Sequence, residues 1–414
     1  MRSDRRLLVV MLTGVVLWAA ALAVLLGSEQ NGLIDLRVYR TGGQAWLQNL
    51  PLYDKAFPWS LSGPQLPFTY PPLSAVLFAG LSVLPWWIAV ALVIGSGIAG
   101  LAVACWLAAN RLSEDRAWIT LLAVGAVAAA PLVEPVRETV SFGQVNLLLA
   151  GVIAADCLMR RTPWPRGTLI GLAAAVKLTP AAFLLFFVAR RQWRPVLAAT
   201  ASFVAAGLLG FLLAPRDTRE YWLGALLDAG RIGGLEFTSN QSLRGALHRL
   251  GLPEGVETAA WLGLCAAVGV LALVAVAHLR RRGDDVAALL VTAAAALLVS
   301  PVSWSHHWVW VVVGLLWLAE YARRRRTRVS VALLTGTLLV FAAAPFWWLP
   351  YRDESELHWS FGQHLLGNAY VWVALAVVVT AAVAAVRARS TSAFPAVAPD
   401  EIEGPKSAVR PNVP

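Results

Sequence analysis

Between positions 35 and 73 this chain gathers residues whose types could do chemistry: Asp35-Leu36-Arg37-Val38-Tyr39, then Pro51-Leu52-Tyr53, then Pro67-Phe68-Thr69-Tyr70-Pro71-Pro72-Leu73. Almost everything around them is apolar. A carboxylate placed where a hydrophobic helix leaves a bilayer is costly to desolvate and carries charge to the membrane surface. Asp35 there can act as a general base, or it can simply cap the end of a span. The thirty-eight residues after it carry three tyrosines, two tryptophans and six prolines. That composition suits a rigid, aromatic-walled pocket and favours the catalytic reading, with Arg37, Tyr39 and Tyr70 as candidate binding residues.

Further polar groups recur along the chain. Glu134, Arg137 and Glu138 follow an apolar run that ends at Pro131, and Gln144 and Asn146 open the next one. At a helix start these two amides can hydrogen-bond a sugar or a phosphate, or serve as interfacial caps. Lys177 is the only lysine within the apolar runs, and an intramembrane cation usually has a function; pairing with a lipid phosphate is the simplest. Glu236 to Arg244 forms a second dense patch, with Asn240, Gln241 and Arg244 as candidate binders. Asn240-Gln241-Ser242 also matches a glycosylation sequon, which is a weak pattern. Ser303-Trp304-Ser305-His306-His307-Trp308 opens a late apolar run. Adjacent histidines on a helix face different ways and are poor joint metal ligands, but one can meet an anionic phosphate or orient a base. Trp304 fits an interfacial belt or a binding wall.

These residues sit in a chain of 414 residues that is 58% hydrophobic and 14% charged, with 19 Trp. Apolar runs of about 20 residues, the length that crosses a bilayer as a helix, imply an all-α polytopic membrane protein. The net charge of +10 comes almost wholly from Arg. Nucleic-acid binding is the obvious alternative for so basic a chain, but the arginines lie in short clusters between the runs, as positive-inside topology requires. Cys105, Cys157 and Cys265 lie within apolar runs and read as small core residues. No P-loop, paired-glycine dinucleotide fingerprint, Cys/His cluster or Asp-x-Asp pair stands out, so neither a soluble nucleotide nor a tightly held metal is expected.

With the Arg clusters on the cytoplasmic side, segments 27–85, 131–145, 177–180, 214–256, 301–307 and 347–367 face outward and hold most of the other polar chemistry. About twelve transmembrane helices are expected: 7–26, 86–109, 117–130, 145–159, 168–176, 180–189, 195–213, 257–279, 285–300, 307–322, 329–346 and 368–386. The first is read as an uncleaved anchor. The stretch 72–84 is too short for a comfortable span and reads as interfacial or re-entrant. Pro180 breaks 167–188 into a hairpin with Lys177 near its outer tip, or into one kinked span. A transmembrane domain thus covers 1–389, and 390–414 reads as a disordered cytoplasmic tail.

Asp35-x-x-Val38-Tyr39, Pro51-Leu52-Tyr53 and Leu66-Pro67-Phe68-Thr69-Tyr70-Pro71-Pro72-Leu73 together resemble the actinobacterial polyprenol-phosphate-mannose-dependent α-(1,2)-mannosyltransferases, the GT87 group of GT-C-type membrane glycosyltransferases. The likeness continues through Gly143-Gln144-x-Asn146, Lys177-x-x-Pro180, Asn240-Gln241-Ser242-Leu243 and Ser300-Pro301-x-Ser303-Trp304-x-His306-His307. It implies a GT-C fold with a periplasmic catalytic face in the plasma membrane, and both termini cytoplasmic. It also implies a polyprenyl-phosphate-mannose donor, a phosphatidylinositol mannoside acceptor and an inverting reaction; metal independence is expected on chemical grounds, since Lys177, Arg244 and a histidine could meet the phosphate charge. Within the group it implies addition of the fifth mannose, or branching of lipomannan. The family's first-loop aspartate falls on Asp35, and the histidine of its late motif on His306 or His307. An arabinofuranosyltransferase using decaprenyl-phosphate arabinose is the neighbouring enzymatic reading. A lipid-linked sugar transporter is the non-enzymatic one, disfavoured because no internal repeat is visible.

Overall fold

The computed structural model describes residues 2–27, 32–54, 57 and 66–393. Apolar runs of low polarity become helices, as expected. In chain order they are α1 (Arg2–Gly27), α2 (Ile34–Leu47), α3 (Pro72–Val83), α4 (Trp86–Leu112), α5 (Arg116–Ala129) and α6 (Glu134–Phe142). There follow α7 (Asn146–Leu158), α8 (Thr168–Val176), α9 (Leu185–Val188), α10 (Trp193–Leu213), α11 (Pro215–Glu220) and α12 (Leu243–His248). The chain closes with α13 (Glu254–Arg281), α14 (Asp285–Val299), α15 (Val311–Arg325), α16 (Arg328–Ala343), α17 (Phe361–Gly367) and α18 (Ala369–Ala393). Among the described residues the only β pairing is an isolated antiparallel bridge between Asn240 and Trp304.

By length and composition, Trp86–Leu112, Trp193–Leu213, Glu254–Arg281 and Ala369–Ala388 can each cross a membrane unaided. Five other expected spans fall on shorter apolar helices, Leu7–Ala23, Asn146–Leu158, Thr179–Val188, Asp285–Val299 and Arg328–Ala343. Helix α3, drawn from the stretch 72–84, has 12 residues and lies against α2. The tail expected from Ser390 begins as helix up to Ala393; residues 394–414 lie outside the described residues.

Local chemistry fixes where helices begin and how closely they pack. The Asp115 carboxylate accepts from the N–H groups of Ala117 and Trp118 at the start of α5, and Asp284 accepts from Ala287 at the start of α14. Where α4 crosses α7, a Cβ on Gly151 would lie 2.4 Å from the carbonyl oxygen of Gly100. Only hydrogen fits there, so the two backbones touch.

The arginine-rich ends of the helices meet at one end of the bundle. Arg111 pairs with Asp285 at 2.7 Å, and Arg280 reaches the same carboxylate at 3.2 Å. Arg280 also donates to the Phe186 carbonyl, Arg190 donates to the Arg280 carbonyl, and Arg324 donates to that of Leu112. Arg166 caps the end of α7 through the carbonyls of Asp156, Cys157 and Met159.

Both ends of segment 167–188 belong to this arginine-rich end. Gly167 donates to Asp156 Oδ1, and Phe186 stacks under Arg280. The segment therefore goes in and returns, which favours the hairpin over the kinked span. Its break comes at Lys177, whose backbone is extended, with a 3₁₀ turn over Thr179–Leu184 beyond it. Pro180 at the start of that turn lacks the N–H that an α-helix would need.

Two expected boundaries move. The span drawn at 307–322 starts instead at Val311, because Ser305–His307 forms a 3₁₀ turn. Ahead of that turn the Ser303 N–H is held by Asn240 Oδ1 at 3.0 Å, so the chain is committed to pairing and not to helix. The outward connection expected at 131–145 contains α6, bent by 73° from the preceding helical segment Arg116–Leu132.

Candidate active site

Helix α2 lies outside the spanning segments and carries Asp35 in its first turn, half-buried. Its register is set by α6: the Leu33 N–H donates to the Ser141 carbonyl at 2.9 Å. Gly143, with φ of 68°, ends α6 so close to α2 that a Cβ there would lie 2.8 Å from Leu36 Cβ. That turn places Gln144 beside Asp35, where its side chain favours the carboxylate. Burial pushes the Asp35 carboxyl up to about 6, against the opposing pull of the Gln144 hydrogen bond and the Lys177 charge.

Gln144 is the hub of the cluster. Its Oε1 accepts from the Tyr39 hydroxyl at 2.8 Å and from the Tyr70 hydroxyl at 3.2 Å. Burial raises the phenol pKa of both tyrosines, so they stay protonated and act as donors. With Oε1 held this way the amide N–H groups are free to point elsewhere, and Nε2 lies 3.4 Å from His306 Nε2. Tyr39 is stacked on Phe78 at 4.3 Å between ring centres, and Tyr70 meets it edge-on. The phenols therefore cannot swing away from Gln144.

Lys177 stands at the tip of its hairpin. Its ammonium donates to Asn146 Oδ1 at 2.8 Å, lies 3.3 Å from His307 Nε2, and sits 5.6 Å from the centre of the Tyr70 ring. The two imidazoles meet edge to face at 4.6 Å, so His306 turns toward Gln144 while His307 turns toward Lys177. A helix could not give both rings this arrangement; the 3₁₀ turn does. The His306 carbonyl is fixed by Thr139 Oγ1 at 2.8 Å and by Asn146 Nδ2 at 3.0 Å.

A cleft opens beside Lys177. Asn146, Thr179, Ser300, Ser303 and His307 give it polar edges, and Leu149, Ile153, Phe183, Leu297 and Trp310 give it an apolar wall. It offers a cation and hydrogen-bond donors to an anion that is attached to something greasy. Among the described residues no group of three or more His, Cys, Asp or Glu side chains is disposed to hold a metal ion.

Five of the expected binding residues lie outside this cluster. Asn240 and Gln241 are fully buried, and their amides bind main chain: Asn240 holds the Leu235 carbonyl and the Ser303 N–H, and Gln241 holds the carbonyls of Thr238 and Gly367 and the Tyr370 N–H. They buttress the histidine turn from behind. Arg244 pairs with Glu257 at 3.5 Å and covers the Trp261 ring. Trp304 packs against Gly233 and Phe237. Arg37, one turn from the cluster, is exposed over Trp86, with Nε donating to the Gly32 carbonyl. Thr139 carries no distinguishing signal in the sequence, being a small hydroxyl in an apolar context, whereas Ser300 and Ser303 belong to the motif around the histidines.

Residues 68–301 match the model of Glycosyltransferase family 87. The chain is 41% identical over 366 residues to a polyprenol-phosphate-mannose-dependent α-(1-2)-phosphatidylinositol mannoside mannosyltransferase of Mycolicibacterium smegmatis, covering 84% of this chain and 82% of that one. It is 37% identical over 362 residues to the enzyme of the same description from Mycobacterium tuberculosis, covering 84% of each. A phosphatidylinositol pentamannoside mannosyltransferase of M. smegmatis is 35% identical over 291 residues, 69% of each chain. With its matched region spanning Tyr70, Gln144, Asn146 and Lys177, the chain belongs to glycosyltransferase family 87.

Proposed function

We propose that this glycosyltransferase moves a mannosyl group from a polyprenyl-phosphate-mannose donor to a tetramannosylated phosphatidylinositol acceptor, forming an α-(1,2) linkage with inversion. The observation that carries the reading is the convergence of Asp35, Gln144, His306, Lys177 and His307 beside a cleft with polar edges and an apolar wall. The donor and acceptor class follow from the relatives' activities.

In this mechanism the acceptor hydroxyl attacks the anomeric carbon, its proton passes to the Asp35 carboxylate, and the bond from that carbon to the phosphate oxygen breaks. Direct displacement needs one base, and a half-buried carboxylate with a pKa of about 6 is well tuned to be one near neutral pH. Charge that develops on the departing phosphate is met by the Lys177 ammonium, with Asn146 and His307 beside it. His306, held by Gln144, orients the acceptor side. These groups supply the charge stabilisation without a metal. Phe183, Leu297 and Trp310 give the isoprenoid chain an apolar wall to lie against.

A GT-C arrangement of about twelve spans, with the arginine-rich end and both termini cytoplasmic and the Asp35 cluster periplasmic, is supported by the gathering of arginines at the end of the bundle remote from Lys177. Transfer to a pentamannoside is the second reading, favoured by the more distant relatives that act on one. Purified protein given polyprenyl-phosphate-mannose with tetra- or pentamannosylated phosphatidylinositol tests both. A product one mannose larger from the tetramannoside supports the first reading, and a product from the pentamannoside alone replaces it with the second. Turnover only with decaprenyl-phosphate arabinose would overturn both.

A further inference from the structure

Glu134 is a fully buried carboxylate that touches none of the groups assigned to transfer. It opens α6, and its neighbour Arg137 does not bond it; that guanidinium goes to the carbonyls of Pro131, Leu132 and Ala342. Instead Glu134 gathers three donors from three separate parts of the chain. Ser305 Oγ donates to Oε1 at 2.6 Å, Trp347 Nε1 donates to the same oxygen at 2.9 Å, and the Tyr370 hydroxyl donates to Oε2 at 3.1 Å. A buried carboxylate is tolerated only when its lone pairs are filled this way, and removing one partner costs more than the bond itself contributes.

Ser305 is the first residue of the 3₁₀ turn that carries His306 and His307. The other end of that anchor, the His306 carbonyl, is gripped by Thr139 from the same helix α6 and by Asn146 from α7. So α6 holds the histidine turn at two successive residues, and the turn after α6 delivers Gln144 to Asp35. The base and the imidazoles are thus measured from one short helix.

We infer that Glu134 is a positioning residue for transfer: through Ser305 it fixes the Ser305–His307 turn, and so sets both imidazoles relative to Asp35 and Lys177. It need not touch substrate or exchange a proton. The Trp347 and Tyr370 bonds tie the same carboxylate to the C-terminal part of the bundle and give it a rigid seat. This rests on the proposed transfer reaction only for its kinetic consequences.

The test uses the full chain, with Ser305→Ala, Glu134→Leu, Glu134→Gln, the double Glu134→Leu/Ser305→Ala, and Trp347→Phe as a control that loses a Glu134 bond without touching the turn. Expected are an approximately tenfold or greater fall in kcat for Ser305→Ala and Glu134→Leu, with KM for donor and acceptor little changed. The double variant should be no worse than the poorer single one, because both cut one link. Glu134→Gln keeps an acceptor oxygen for Ser305 and should recover most of the rate, and Trp347→Phe, which loosens the seat but keeps the Ser305 bond, should lose less than Ser305→Ala. A readout independent of turnover is the imidazole NMR spectrum of histidine-labelled protein, which has six histidines. The His306 and His307 resonances should shift in Glu134→Leu, a substitution remote from both in sequence, while those of His248, His278, His358 and His364 hold. Wild-type rates in Ser305→Ala, or unmoved His306 and His307 resonances, would overturn the inference. An inactive wild type would instead count against the proposed reaction, and the NMR arm would still decide the role of Glu134.

Discussion

The Lys177 ammonium lies 3.3 Å from Nε2 of His307, at the tip of a hairpin that enters the bundle from its arginine-rich end and returns there. With His307 neutral, its Nε2 can accept from Lys177, and the pair presents one positive charge at the mouth of the cleft. A polyprenyl phosphate is a fair leaving group once that charge meets it.

Replacing Lys177 with Met should therefore lower kcat by about 10²–10³-fold, the usual effect of deleting one preorganised group that stabilises developing charge. Lys177→Arg should keep part of the rate, since the charge is kept while the fit to Asn146 and His307 is lost. Steady-state rates with saturating acceptor check this, and a Lys177→Met enzyme within tenfold of wild type would remove Lys177 from the leaving-group site.

The Asp35 carboxyl, at about 6, predicts the acid limb of the rate profile. A base works only when it has lost its proton, so kcat/KM should rise about tenfold per pH unit below pH 6 and level off above it. The same raised value bears on stability. Because the folded chain holds this proton more tightly than an ordinary carboxyl at 3.8, Asp35 contributes stability that is present below about pH 4 and lost as pH rises through about 6. A rate profile flat from pH 5 to 8, set against wild-type melting curves, would contradict the assignment of the base.

The two histidines should separate kinetically. His307, beside Lys177, faces the donor phosphate; His306, against Gln144, faces the acceptor side. His307→Asn should raise KM for the donor more than for the acceptor, and His306→Asn the reverse. Equal effects on both substrates from both variants would mean that the turn acts as one unit.

Asn240→Ala should act on stability rather than on binding. The side chain is fully buried, and its loss strands the Ser303 N–H and the Leu235 carbonyl, at a cost of about 1–3 kcal/mol. The thermal midpoint should drop by several degrees, while the variant that remains folded keeps KM for both substrates.

Asp35, Gln144, Lys177 and the histidine pair were legible in the sequence because a polar residue inside an apolar chain has few reasons to be there. Their mutual arrangement was not. Gln144 joins Asp35 to His306 across more than 160 positions, through a turn that exists because Gly143 adopts positive φ. Asn240 and Gln241 show the opposite limit. An amide in an outer segment looks the same whether it waits for a sugar or already holds its own backbone, and only the fold reveals that Ser303 and Gly367 are the partners. The hairpin at Lys177 was half legible. Pro180 announced a break, but the return of the chain depends on Arg280 and Asp156, which are distant in sequence. Glu134 stands out in the sequence as polar, yet its three donors come from positions 305, 347 and 370.

The most direct test of the account is mannosyl transfer by purified wild type and Asp35→Asn, from polyprenyl-phosphate-[¹⁴C]mannose to tetramannosylated phosphatidylinositol, in buffer containing EDTA. Radiolabelled pentamannoside is expected from the wild type, with a rate at least about 10³-fold lower from Asp35→Asn while the protein stays folded. Full transfer by Asp35→Asn, or transfer by wild type that stops on chelation, would contradict it.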